Sequence, residues 1–215
     1  ETRRRWCGWH ADGALAFDGA PAFMPDATIL ALGGGSWAKL GSDGGWTGML
    51  TARGVDIAPL KPTNCGFRTQ WSDVFRNRFA GTPVKGVRLS HDSASIHGEA
   101  MITRDGIEGG AVYALSSALR DAITRYGAAT LTLDLRPDIS EDALRAKLSS
   151  VKAGETLSNR LRRVVGLSPV AIGLLREAHG VALPTDPTAL AQAIKGAPLT
   201  LDATAAIDRA ISSGG

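Results

Sequence analysis

Apolar positions along this chain recur with two different periods, and the change of period divides it. Near the start, residues 2–9 and 13–18 alternate around the turn "HADG", which predicts a β-hairpin. Residues 27–32 form a short apolar run of strand length that ends in glycines. A short helix fits residues 44–53, stopped by Gly54. After the proline-punctuated link "APLKPT", the segments "NCGFRT", "VKGVRLSH" and "SASIHGEAMIT" read as strands separated by turns, with a helical turn over Trp71–Arg78.

The helical period then takes over. Val112, Leu115, Leu119 and Ile123 share one face of a helix expected over Ala111–Tyr126. "ATLTLDL" alternates like a strand before Pro137. Ser140 opens a helix as its N-cap, with acidic residues in the first turn. Further helices fit 156–165, 168–178 and 187–195, closed by Gly166, Gly180 and Gly196. "PLTLDAT" returns to strand texture. Runs of strands with a block of helices predict an α+β fold rather than one doubly wound sheet.

Composition narrows the classes. At 215 residues, 44% hydrophobic and 21% charged, the chain is globular and long enough for one or two domains. A net charge of +3 and an isoelectric point near 9.1 favour anionic partners weakly and do not mark a nucleic-acid binder. Cys7 and Cys65 are too few for a disulfide framework; they read as free thiols of a reducing, cytoplasmic compartment, with a single bridge as the alternative. No apolar stretch reaches the roughly 18 residues of a membrane span, so no membrane partner is expected. His10, His91, His97 and His179 lack ligand spacing, and no metal site is expected. Arg160, Arg162 and Arg163 fit a solvated helix face better than a nucleic-acid face, because no aromatic residue is interleaved with them.

Two glycine-rich loops are the candidate chemistry. "TILALGGGSWAKLGSDGGW" carries Gly33, Gly34, Gly35 and Ser36 after an apolar run. Such a turn presents backbone N–H groups to a phosphate or a flavin ring, or it simply reverses the chain. The same residues approximate a G-x-S-x-G elbow with Ser36 as nucleophile. That motif needs an immediate helix and a final glycine, whereas glycines follow here and Ala38 takes the last position. "ITRDGIEGGAVY" places Arg104, Gly106, Glu108 and Gly109 before a helix, either as an anion-binding start or as a tight connection.

Three blocks in order resemble one family. "ATILALGGGSWAKLGSDGGW", "GEAMITRDGIEGGAVYALSS" and "PLTLDAT…AISSGG" are similar to stretches of the YhiN-like (BaiN-like) flavoproteins, NAD(P)/FAD-dependent oxidoreductases. The resemblance implies an FAD-binding α/β domain, interrupted by a β-barrel that is itself interrupted by a small helical domain. It divides this chain into the end portion of the FAD domain (1–58), the barrel (59–137, completed by 198–206), the helical insert (138–197) and a return to the FAD domain (207–215). It implies FAD contact at Gly33, Gly34, Gly35, Ser36, Gly106, Gly109, Gly214 and Gly215. The substrate is an unidentified small molecule, NAD(P)H is a candidate electron donor, and Arg104 and Glu108 are the substrate-side polar candidates.

Leu32, Ala38 and the "TRDG" turn depart from the family pattern, which points to a distinct subfamily. The chain is expected to be an internal piece of the parent, without the G-x-G-x-x-G element, and so inactive and unable to hold FAD tightly by itself. The alternative function is a non-catalytic insert module, barrel plus helices, that binds a macromolecular partner, with nucleic acid disfavoured.

Overall fold

A computed structural model describes residues 4–150, 156–180 and 182–215. The chain separates into two compact units, 1–62 with 207–215, and 63–206. Helices and strands are segregated along it, as an α+β fold requires.

The first unit begins with a hairpin of β1 (Trp6–Trp9) and β2 (Leu15–Phe17), antiparallel with an irregularity between Trp6 and Gly8. Residues 2 and 3 of the expected hairpin lie outside the described residues. The expected strand at 27–32 does not form; Ile29 is 93% exposed. A strand exists only where a neighbour supplies ladder hydrogen bonds, and no described residue does so there. A 3-10 turn (Ala38–Leu40) and α1 (Trp46–Thr51) follow. Strand β3 (Lys61–Thr63) pairs with a strand at the chain's end, Ser212–Gly214.

The second unit opens with β4 (Phe67–Arg68) and α2 (Asp73–Phe79), capped by the Ser72 hydroxyl. Strands β5 (Pro83–His91) and β6 (Ala94–Ile102) form a long hairpin, and β7 (Gly106–Glu108) returns beside β6. Val84 and Val87 are both buried although three residues apart, which strict alternation forbids. A register shift between them, with Gly86 at φ +61°, turns both inward.

The expected helix over Ala111–Tyr126 is two helices, α3 (Gly110–Ala114) and α4 (Ser116–Tyr126), broken at Leu115 with φ −97° and ψ −1°. Val112, Leu115 and Leu119 are buried all the same. The apolar stripe therefore survives a break that its spacing does not reveal.

Strand β8 (Ala129–Asp134) precedes a block of helices. These are α5 (Glu141–Ser149), α6 (Leu157–Arg160) running into a π turn at Leu161–Val165, α7 (Pro169–His179) and α8 (Pro187–Lys195). Ser140, Thr156, Ser168 and Asp186 each cap the N3 amide of their helix, and Pro169 and Pro187 take the first-turn positions where no N–H is needed. Leu144, Leu148, Leu161, Leu175, Leu190 and Ile194 form the core of the block.

After the helices come β9 (Ala197–Leu201) and β10 (Ala203–Thr204), and β11 (Ser212–Gly214) is the strand already met beside β3. The seven strands of the second unit run in the order β10-β4-β7-β6-β5-β8-β9. The two outer members, β9 and β10, are one stretch of chain separated only by Asp202. The sheet therefore closes on itself as an antiparallel barrel. Asp202 N–H donates to Arg68 O at 3.1 Å and Ala205 N–H to Gly66 O at 2.8 Å across the junction. Phe67, Leu89, Ile102, Ile107, Leu131, Leu133 and Leu201 are buried within this unit.

Cys7 is exposed and Cys65 buried, and no disulfide joins them. Burial pushes the Cys65 thiol up, with the charge of Arg120 acting in the opposite sense, so Cys65 stays protonated at neutral pH.

A pair of glycine substitutions tests the barrel geometry. A Cβ at Gly106 would lie 1.8 Å from Phe67 O, a backbone atom of the neighbouring strand, whereas one at Gly110 meets nothing within 4 Å. Urea unfolding should show Gly106→Ala losing about 3 kcal/mol and Gly110→Ala losing nothing or gaining up to about 1 kcal/mol. Equal effects would contradict this register.

Candidate functional site

In the first unit, the three adjacent glycines face atoms of their own chain. A Cβ on Gly34 would lie 2.0 Å from the Ser213 hydroxyl oxygen, one on Gly33 3.0 Å from that of Ser42, and one on Gly35 3.1 Å from Leu60 Cδ1. Gly33 also holds φ +73°, a conformation glycine adopts without strain. Their polar groups are engaged too. Gly35 N–H donates to Ser213 Oγ at 2.8 Å; Gly34 O accepts from Ser42 Oγ at 2.9 Å and from Gly44 N–H at 3.1 Å. Trp46 Nε1 donates to Gly33 O at 3.1 Å.

The close approach that removed side chains at Gly34 is thus made by Ser213 of β11. Ser36 is buried at 3% exposure, and only a 3-10 turn follows it. A nucleophile elbow needs an exposed hydroxyl seated on a helix, so the acyl-transfer reading fails. Gly214 ends β11, and a Cβ on Gly215 would meet Ala58 O at 2.9 Å. Gly33–Ser36, Gly214 and Gly215 therefore share one neighbourhood, joined through Ser213.

The second loop belongs to the barrel. Gly106 lies in β7 against β4, and Gly109, at φ +109°, comes within 3.2 Å of Ala100 Cα when a Cβ is built on it. Both glycines are thereby accounted for by strand packing. Arg104 is exposed in the β6–β7 turn, while Glu108 is half-buried, its Cβ 2.9 Å from where a Cβ on Gly66 would sit.

A cleft of about 780 Å³ in the first unit was not anticipated. Arg4, Arg5, Trp6, Leu32, Asp43, Trp46 and Met49 are among its walls. Trp6 Nε1 is buried with no hydrogen-bond partner among the described residues. The signal was present in "RRRWCGW", where a basic run abuts two indoles; Trp6 and Trp9 stack edge to face at 4.7 Å, and the Arg53 guanidinium lies 4.9 Å from the Trp9 ring centre. Among the described residues no group of three or more His, Cys, Asp and Glu side chains could hold a metal, and no helix is long and apolar enough to cross a membrane.

The second unit defines a class: an antiparallel barrel closed through one continuous stretch of chain, with a helical block inserted between β8 and β9. Residues 61–212 match the family described as HI0933-like protein barrel and H2TH domain. That match spans well over half of the 215 residues, and the chain belongs to this family, which is of the YhiN/BaiN flavoprotein type. No curated protein matches the sequence.

The Gly34–Ser213 contact generates a double-mutant cycle. Gly34→Ala must rotate the Ser213 hydroxyl away from Gly35 N–H, and Ser213→Ala deletes the same bond, so each should cost about 1 kcal/mol. The double variant, whose remaining contact is the 3.4 Å approach to Ser213 Cβ, should cost no more than either single one. Additive losses in thermal melts would place the function of Gly34 elsewhere.

Proposed function

We propose that this chain supplies the barrel and helical module, with part of the flavin-binding portion, of an FAD-dependent oxidoreductase acting on a small molecule. Family membership supports the flavoprotein class. The observation that carries the cofactor itself is the first unit's cleft. Its volume of about 780 Å³ lies in the range of roughly 300–1,000 Å³ found for small-molecule sites. Its donors suit an anionic aromatic group: the Arg4 and Arg5 guanidiniums and Trp6 Nε1 for phosphate oxygens, the Trp6 and Trp46 indoles for a planar ring.

In this reading residues 1–62 and 207–215 serve the cofactor, and 63–206 form the barrel and its helical insert. A bound flavin supplies the electron or hydride transfer, with NAD(P)H as the candidate donor. The chain's own part is to bind and orient. The Gly33–Ser36 turn, locked by Ser42, Gly44 and Ser213, gives the cofactor portion a rigid backbone floor. Arg104 and Glu108, both in the second unit, are the candidate polar groups for a substrate.

FAD titrated into the 215-residue chain, followed by flavin fluorescence anisotropy, tests the proposal. Saturable binding weaker than about 1 μM is expected, because the chain lacks a G-x-G-x-x-G pyrophosphate turn. Arg5→Gln should weaken it by about tenfold. Absence of saturation, or binding that Arg5→Gln leaves unchanged, would remove the cleft from the account.

A further inference from the structure

The second unit holds a small basic depression that neither the barrel nor the flavin proposal uses. It measures about 180 Å³, and Arg78, Arg162 and Arg176 stand around it together with Ser158 and Asn159. The three arginines come from three elements, α2, the π turn and α7. A Cβ on Gly173 would lie 2.8 Å from both Phe75 and Phe79, so this glycine lets α7 press onto α2 and form an apolar floor. The π turn is itself informative, since such wide turns cost helix geometry and recur at functional sites.

Each guanidinium is steadied by one neighbour and keeps other donors. Arg176 Nη2 donates to Ser158 Oγ at 2.8 Å, Arg162 Nη2 to Asn159 Oδ1 at 3.3 Å, and Arg78 lies 5.1 Å from the Phe79 ring centre. A guanidinium carries five N–H donors, so most remain for a ligand. Among the described residues no acidic side chain lines the depression, and no carboxylate forms an ion pair with these three. The nearest acidic partner on α7, Glu177, is occupied with Ser72 N–H at 2.8 Å and Ser72 Oγ at 2.7 Å. Three like charges held around one hollow repel one another, and an anion of matching geometry relieves that repulsion.

We infer that Arg78, Arg162 and Arg176 form a binding site for a phosphoryl group. Phosphate presents three oxygens to planar donor forks, the geometry for which arginine is suited and lysine is not. The volume of about 180 Å³ falls below that of pockets enclosing a whole small molecule, so the site grips one group of a larger ligand. Two sources carry that group: a soluble phosphorylated metabolite or nucleotide, and the backbone of a nucleic acid. This site does not rest on the flavin proposal and fails or stands separately from it.

Inorganic pyrophosphate and a fluorescein-labelled 12-base-pair duplex are the probes, titrated into the full chain at low salt by calorimetry and by anisotropy. The expected result is saturable pyrophosphate binding that the Arg162→Gln/Arg176→Gln double variant weakens by about tenfold or more. Both side chains are exposed, so the variant should keep its fold, which circular dichroism checks. The control Arg88→Gln/Arg125→Gln, an equal loss of charge from exposed positions on β5 and α4, should bind as the parent does. Pyrophosphate binding without duplex binding assigns the soluble source. Duplex binding that shares the same dependence on Arg162 and Arg176 assigns the nucleic-acid source. Failure of both probes to bind, or equal weakening by the control pair, overturns the site.

Discussion

The stretch from Ala197 to Ala205 hydrogen-bonds to two different strands, and the barrel depends on that double engagement. Its first half pairs with β8 in a register running from Ala197↔Leu133 to Leu201↔Ala129. Past Asp202 the same chain pairs with β4, Ala203 opposite Arg68 and Thr204 opposite Phe67. Thr69 Oγ1 adds a bond to Thr200 O at 2.7 Å, across the point where the partner changes. Without this switch, β4 and β8 would be open edges with unsatisfied ladder groups, the exposed template that natural sheets avoid. Closure also requires tight passages, and Gly106 and Gly66 occur where a side chain would strike the opposing strand or its side chains.

The helical block leaves and re-enters the barrel at adjacent strands, so it must be tied down at its stem. Lys195, at the end of α8, does this with one ammonium group. It meets Asp134 Oδ2 at 2.6 Å and donates to Arg136 O at 3.1 Å and Ile139 O at 2.9 Å. Leu135 N–H adds a bond to Ile194 O at 3.0 Å. The exit after β8 and the return before β9 are therefore stapled to each other, and the helices between them act as a closed excursion from the sheet. Arg136 extends the stem by donating to Val165 O and Gly166 O, at the end of the π turn. The same π turn that carries Arg162 is thus anchored to the stem.

Much of this was legible locally and some was not. The N-cap at Ser140 announces its helix because a short oxygen-bearing side chain there satisfies an otherwise orphaned amide, and Ser168 and Asp186 turn out to cap theirs in the same way. The break at Leu115 is silent, because the apolar stripe continues across it. The apolar run 27–32 shows the limit of strand reading: side-chain pattern states a preference, but pairing needs a partner elsewhere. The glycine triplet gave a true signal of close approach, yet nothing in its sequence named Ser213, which lies some 180 positions away in the chain. The arginine depression was likewise invisible, since Arg78 meets Arg162 and Arg176 only through the packing of α2 on α7 at Gly173.

Amide hydrogen exchange at the strand switch tests the central structural claim most directly. In a closed barrel the amides of Asp202 and Ala205, bonded to Arg68 O and Gly66 O, are protected like those of Leu199 and Leu201 in β9. These four should exchange with a common free energy of opening, close to that of the β5–β8 pair. Fast exchange at Asp202 and Ala205 beside slow exchange at Leu199 and Leu201 would contradict it, and would describe an open sheet with a frayed edge.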